Sequence, residues 1–295
     1  MHVVLAGASG LIGSALKAQL QEHDHQVKAL VRRDPSGAGE ARWDPANGRI
    51  DAGFLADADA VVCLSGVGVG DRRWTESYKR TIVDSRVDTV ETIAHSLAEH
   101  GGPRVFLAAS AVGYYGDTGD RLVEEDSPPG SSFLSRVCER WEAAADPARA
   151  AGVRVVHTRT GLVLAPGGGL LERLKPLVQL GVAGRLGSGK QYMPWISLRD
   201  EVRAIEFALT SDVSGPVNLT GPVPARNADF VATMGRILHR PTVLPAPGFA
   251  IRAALGEFAG EILGGQRAVP AALTKAGFEF EHADLDAALR WALRA

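Results

Sequence analysis

At 295 residues the chain is long enough to bury a large core, either as one sizeable α/β domain or as a domain with an appended lobe. Its 45% hydrophobic and 22% charged content and its net charge of -2 belong to an ordinary globular protein and exclude the basic excess of a nucleic-acid binder. Its two cysteines, Cys63 and Cys138, lie far apart in apolar or helix-like sequence, giving neither a metal-ligand spacing nor a disulfide framework, and no apolar run reaches the roughly 18 residues that span a bilayer. A reducing cytoplasm is therefore the expected location, with no membrane partner and, since strand-like sequence starts at residue 2, no signal peptide.

The chain opens with His2-Val3-Val4-Leu5-Ala6, an apolar run of strand type. A glycine-rich turn follows, then a helix from Leu11 to His23 with apolar residues at helical spacing. Gln26 to Val31 reads as the second strand and Ala60 to Leu64 as the third, joined by a polar, Gly/Pro-rich connection from Arg33 to Gly53. A helix from Trp74 to His100, a strand from Arg104 to Ala109, a helix from Phe133 to Ala151 and a strand from Val153 to His157 continue the alternation. Strands that are apolar throughout and alternate with helices predict a doubly wound parallel sheet covered on both faces. Beyond Arg159 the alternation fades: Gly167-Gly168-Gly169 and Gly184 to Gly189 mark loops, and a strand at Pro216 to Leu219 precedes helix-rich sequence. The expected division is a dinucleotide-binding α/β domain over 1–165, rejoined by part of 200–220, and a smaller α/β substrate lobe with a helical C-terminal region over 166–295.

The turn Gly7-Ala8-Ser9-Gly10-Leu11-Ile12-Gly13 follows a strand, opens a helix and precedes a second strand at βαβ distance, the context a dinucleotide-binding loop requires. In that reading Gly7 turns the chain, Gly10 lets backbone approach a pyrophosphate, and Gly13 packs the helix on the strand. The phosphates then sit at the helix N-terminus, beside Ser9, Leu11 and Ile12. At the end of the second strand, where an NAD site places an acid on the ribose hydroxyls, stand Arg32 and Arg33. Guanidinium groups suit a 2′-phosphate, so NADP(H) is favoured over NAD(H), which the neighbouring Asp34 leaves open.

With these landmarks, Leu64-Ser65-Gly66, Ala109-Ser110-Ala111-Val112-Gly113-Tyr114-Tyr115-Gly116 and Arg159-Thr160-Gly161-Leu162-Val163-Leu164, the chain resembles the short-chain dehydrogenase/reductase superfamily in its extended, epimerase-like branch. Arg42-Trp43-Asp44-Pro45, Ser85-Arg86-Val87, Cys138-Glu139-Arg140-Trp141-Glu142 and Trp195-Ile196-Ser197-Leu198-Arg199-Asp200 are similar to the atypical SDR39U1-like epimerase family, and the tail from Val269-Pro270 to Trp291 is similar to its C-terminal DUF1731-type domain. The resemblance implies a Rossmann-type fold, cofactor contacts at Leu64, Ser65, Gly66, Arg86, Ala109, Arg159, Gly161 and Leu162, and Ser110 facing the nicotinamide.

It also exposes a departure. The superfamily moves protons with a Tyr and a Lys four residues apart, followed in extended members by a Glu four residues later. Aligning that Glu with Glu142 puts Leu134 and Cys138 where the Tyr and Lys belong. Tyr114 and Tyr115, beyond Ser110 in the same loop, are the candidate substitutes, although aromatic packing under the loop is an equal role for either. Cys138 reads as a buried small hydrophobe, Lys190 as a loop lysine able to meet an anionic substrate, and Glu124-Glu125-Asp126 as a solvated loop. No histidine pair has metal-ligand spacing, so no metal is expected. Two functions follow. One is an NADP(H)-dependent epimerase or oxidoreductase, monomeric or homodimeric, acting on a small carbonyl or hydroxyl compound, nucleotide sugars included, in a cleft between the domains. The other is an NADP(H)-binding sensor that has lost catalysis.

Overall fold

A computed structural model describes residues 1–294. In chain order the regular elements begin β1 (His2–Ala6), α1 (Leu11–Glu22), β2 (Gln26–Val31), β3 (Glu40–Arg42), α2 (Ala52–Ala56), β4 (Ala60–Cys63), α3 (Glu76–His100) and β5 (Val105–Ala111). They continue with β6 (Leu122–Val123), α4 (Phe133–Ala143), α5 (Asp146–Ala150), β7 (Arg154–Thr160), β8 (Leu162–Ala165), α6 (Gly169–Gln179), β9 (Tyr192–Met193) and β10 (Trp195–Ser197). The last are α7 (Leu198–Thr210), β11 (Gly215–Leu219), β12 (Ala225–Arg226), α8 (Asn227–Leu238), α9 (Gly248–Leu255), α10 (Ala259–Leu263), β13 (Arg267–Ala268), α11 (Ala271–Lys275) and α12 (Leu285–Leu293). Among the described residues no helix is long and apolar enough to cross a membrane.

Two compact units share the chain. The first takes residues 1–110, 137–158 and 202–217; the second takes 111–136, 159–201 and everything from Asn218 onward. The first is built on a seven-stranded sheet of order β11-β7-β5-β4-β1-β2-β3. The pairs β1–β2, β1–β4, β2–β3 and β4–β5 run parallel. The strands are apolar on both faces because both faces are covered: Val3 to Ala6 and Ala60 to Cys63 are at most 1% exposed. On one face the side chains of Val4, Ala6, Val61 and Cys63 meet Val90, Ile93 and Leu97 of α3 and Trp141 of α4 in a single core. The strand order reverses on either side of β1, and the crevice beyond the carboxyl ends at such a point is where open α/β sheets take ligands.

In three places the elements differ from the sequence expectation, each for a local reason. The connection between the second and third apolar strands holds β3, a three-residue edge strand with one buried residue, Ala41, too short to show an alternation. It also holds α2, capped by the Asp51 carboxylate, which accepts from the Gly53 N–H at 2.9 Å. The helix expected from Phe133 to Ala151 breaks into α4 and α5 because Pro147 has no N–H to give the Ala143 carbonyl and its ring crowds that carbonyl, so it stands in the first turn of a new helix. The helix expected from Trp74 begins at Glu76, where the Thr75 hydroxyl accepts from the Tyr78 N–H at 3.2 Å.

The second unit has a finer texture than alternating strands and helices. Three two-stranded sheets, β8 with β10, β9 with β12 and β6 with β13, are surrounded by helices. Its core gathers Leu164, Leu171, Trp195, Phe230 and Met234 with Leu289 and Leu293 of α12. The Trp195-Ile196-Ser197-Leu198-Arg199-Asp200 stretch turns the corner from β10 into α7. There Asp200, fully buried, accepts from the Ser197 hydroxyl and from the main-chain N–H groups of Glu281 and His282, at 2.9, 2.8 and 2.9 Å.

Candidate functional site

The glycine turn at the carboxyl end of β1 divides its labour as the spacing predicts. Gly7 has φ +86, and a Cβ there would stand 2.8 Å from the Leu64 carbonyl carbon, so the turn lies flat on the Leu64-Ser65 backbone. Gly13 is buried, and a Cβ on it would come closer than 3.0 Å to the Gly7 carbonyl oxygen. Gly10 differs: its backbone is extended (φ -76, ψ 171), and a Cβ would find nothing nearer than the Gly7 oxygen at 3.4 Å. No protein atom requires glycine at that position. The space above it lies at the N-terminus of α1, which no side chain caps, so the first-turn N–H groups point outward without a side-chain acceptor. Ser9, Gly10 and Leu11 are exposed and Ile12 is half-buried. A phosphate fits this cradle, and a methyl group at Gly10 would occupy it.

The expected adenine-side arginines have different situations. Arg32 is exposed, and among the described residues no hydrogen bond or ion pair engages its guanidinium. Arg33 lays its fork on Glu40 of β3 with two bonds of 2.7 Å. That fork, with the Ser36 N–H and hydroxyl, holds the Glu40 carboxyl down to about 2. Asp34 is paired with Arg42 at 2.7 Å. Arg32 is thus the cation immediately available to a 2′-phosphate, while Arg33 shares its charge with an acid.

Arg86 braces the strand-end loop. Gly66 lies against it, a Cβ there standing 3.3 Å from the guanidinium carbon, and it donates to the carbonyls of Val67 and Ile82 at 2.9 and 3.0 Å. Its guanidinium lies 5.0 Å from the Trp141 ring, and burial lowers its pKa. The structure therefore brings Gly7, Leu64, Ser65, Gly66 and Arg86 into one layer. Ala109 and Ser110 precede Ala111, the last residue of β5, the strand beside β4. Ser110 is 3% exposed, and its hydroxyl donates to Glu142 Oε1 at 2.7 Å. Cys138 and Cys63 are buried and not joined in a disulfide, and burial raises the pKa of the Cys63 thiol.

The other expected residues belong to the second unit. Tyr115 is 1% exposed; its hydroxyl donates to Asn218 Oδ1 at 2.7 Å and accepts from Arg159 at 2.9 Å, and burial pushes its pKa to about 12. A phenol so held cannot serve as a base near neutrality. Tyr114 is half-buried with Arg159 stacked 3.5 Å from its ring centroid, and its hydroxyl has no hydrogen-bond partner among the described residues. The Arg159 guanidinium, 3% exposed, is engaged by Tyr115, Tyr114 and the Glu125 carbonyl at 3.0 Å. Gly161 is a packing glycine, since a Cβ would overlap the Pro194 carbonyl, and Leu162 pairs with Trp195.

Sequence reasoning missed two features here. Glu125, read as part of a solvated acidic loop, accepts from the N–H groups of Asn218 and Ala272 at 3.0 and 3.1 Å and so joins β11 to α11. Its neighbours in sequence gave no sign of this, because the partners lie far along the chain. Glu201 is fully buried, accepts from the Thr160 hydroxyl at 2.8 Å, leaves Oε2 without a partner, and is pushed up by burial to about 8. Among the described residues no three His, Cys, Asp or Glu side chains could hold a metal ion.

Residues 3–220 match the NAD dependent epimerase/dehydratase family, and residues 246–292 match a domain of unknown function, DUF1731. An epimerase family protein of Mycobacterium leprae is 51% identical over 98% of this chain and 95% of its own. The crystal structure of human epimerase family protein SDR39U1 with NADPH superposes with a TM-score of 0.90 at 31% identity, covering 99% of both chains. That of a nucleoside-diphosphate sugar epimerase from Corynebacterium glutamicum gives 0.82 at 36% identity, covering 99% of this chain and 58% of that longer one.

Proposed function

Because the chain belongs to the NAD-dependent epimerase/dehydratase family, we propose that it binds NADP(H) along the carboxyl ends of β1, β2, β4 and β5 and serves hydride transfer at a carbonyl or hydroxyl carbon of a small substrate. The observation that carries this reading is the glycine cradle. Gly10 leaves open a space that no packing need explains, at an uncapped helix end, and Arg32, without a partner among the described residues, follows β2, the strand paired with β1. The human relative crystallised with NADPH supports the choice of NADP(H) over NAD(H). The Corynebacterium relative supports nucleotide sugars among the candidate substrates.

Bound here, the nicotinamide would supply or accept the hydride. The chain's own residues do the rest. The α1 N-terminus holds the pyrophosphate, Arg32 the 2′-phosphate, and Leu64 to Gly66 the ribose edge, while Ser110 remains as a hydroxyl for the substrate. The missing Tyr and Lys favour a second reading, in which NADP(H) is bound for sensing alone. Cys138, 3% exposed, carries no positive charge and cannot replace the lysine's.

NADPH fluorescence on binding tests the cofactor. Incubation with 4-deuterated NADPH and a panel of carbonyl compounds and nucleotide sugars tests the chemistry. Label in a product is expected, whereas tight binding with no transfer across the panel would favour the sensor.

A further inference from the structure

The contact between Ser110 and Glu142 ties the β5 hydroxyl to the acid that follows the positions of the family's Tyr and Lys. A serine hydroxyl has one proton and two acceptor lone pairs. Here the proton is given to a carboxylate at 2.7 Å, a charge-assisted bond, so toward a ligand Ser110 offers only lone pairs. A ketone oxygen, itself an acceptor, gains nothing from such a group. A hydroxyl gains a partner. Glu142 stands one helical turn beyond Cys138 and two beyond Leu134, so the face of α4 that lacks the Tyr and Lys still ends in an acid.

We infer that Ser110 and Glu142 together form the proton acceptor of the site, that the group bound at Ser110 is a substrate hydroxyl, and that the reaction opens with alcohol oxidation. This rests on the cofactor reading above. In that step the substrate O–H bond breaks and its proton passes to Ser110 Oγ as Ser110 releases its own to Glu142 Oε1. The carbinol C–H bond breaks with the hydride passing to the oxidised nicotinamide of NADP⁺, and the C–O bond becomes C=O. The carbinol is oxidised by two electrons, the nicotinamide is reduced by two, and Glu142 ends as the neutral acid. Ser110 touches the substrate; Glu142 acts through it and is a positioning residue.

The carboxylate also carries a signature that needs no substrate. Oxidised nicotinamide is a cation and reduced nicotinamide is not, so a negative charge behind Ser110 favours NADP⁺ over NADPH. Dissociation constants for both forms, from NADPH fluorescence and its displacement by NADP⁺, are to be compared for wild type and Glu142→Gln. The isosteric variant is expected to weaken NADP⁺ about tenfold and leave NADPH within about twofold, which doubles as the control for folding. A ratio unchanged within twofold overturns the inference. Binding of neither form by the wild type would instead sink the cofactor reading. A second arm follows NADP⁺-dependent oxidation of nucleotide sugars and simple secondary alcohols. Loss of about a hundredfold in Glu142→Ala, restored by added formate, supports the proton-acceptor role. Full activity in that variant, no rescue, or a wild type that binds both forms yet oxidises nothing overturns it.

Discussion

Glycine-to-alanine changes at Gly10 and Gly13 should separate holding the fold from holding a ligand. Both residues belong to the same turn, and each gains one methyl group. At Gly13, the third residue of α1, alanine would ordinarily gain about 1 kcal/mol of helix propensity. The new Cβ would instead come closer than 3.0 Å to the Gly7 carbonyl oxygen, a backbone atom that cannot swing aside, so helix and strand must part. A net loss of about 3 kcal/mol or more is expected, a fall in Tm on the order of 6–12 °C for a protein of this size. At Gly10 the nearest atom to the methyl is 3.4 Å away and φ is -76, so Gly10→Ala should stay within about 1 kcal/mol of wild type. It should nevertheless weaken NADPH by at least tenfold, because the methyl stands where the pyrophosphate meets the backbone. Thermal melts with and without NADPH, and fluorescence titration, measure both quantities. A Gly10→Ala protein that melts normally and binds NADPH like the wild type would refute the assignment of the α1 N-terminus as the phosphate site.

Four further outcomes follow from the geometry. Arg32→Ala should weaken NADPH by ten- to a hundredfold, the worth of about 1.5–3 kcal/mol of charge-assisted bonding, with little change for NADH; equal loss of both would discard the 2′-phosphate role. Glu40→Gln should release the Arg33 fork and tighten NADPH several-fold in the same titration, whereas an unchanged constant would mean that Arg33 does not reach the ligand. Tyr115→Phe should cost about 1–3 kcal/mol in chemical denaturation by leaving Arg159 and Asn218 without their shared partner. Unaltered stability with a loss of turnover would return Tyr115 to the chemistry. The Glu201 carboxyl has its pKa raised by burial from 4.5 to about 8. The folded chain therefore keeps a proton that the unfolded chain has lost, and the stability this contributes is complete below about 4.5 and disappears as pH rises through about 8. Glu201→Gln should thus gain on the wild type by up to about 1.4 kcal/mol per pH unit between pH 6 and 8 in denaturant melts. Parallel pH curves would refute the shift.

The parallel sheet was legible because its strands are apolar throughout and its first turn spells out its own geometry. Gly7, Gly10 and Gly13 act within seven residues of one another, and a local pattern is what sequence shows best. What escaped was non-local. Nothing near Arg33 announces that Glu40 of a three-residue edge strand will take its fork. Nothing separates Tyr114 from Tyr115 until Asn218 and Arg159 arrive from distant parts of the chain. The family motif through Asp200 drew attention to the right residues for another reason, since its carboxylate caps two main-chain N–H groups far downstream. Glu142 was visible only as an alignment anchor, and its bond to Ser110 across 32 positions gave it a chemical reading.

Asp200 also sets an order of events. Its buried carboxylate stays without its main-chain donors until residues 281 and 282 exist, and the same core waits for Leu289 and Leu293. During synthesis the second unit can therefore neither complete the hydrogen bonds of that corner nor close its interior until residues 281 to 293 have been made. A ribosome stalled before residue 280 would present an unfinished core with a stranded charge, a substrate for chaperones and proteases, whereas the residues through β5 would already have their first βαβ turn in place.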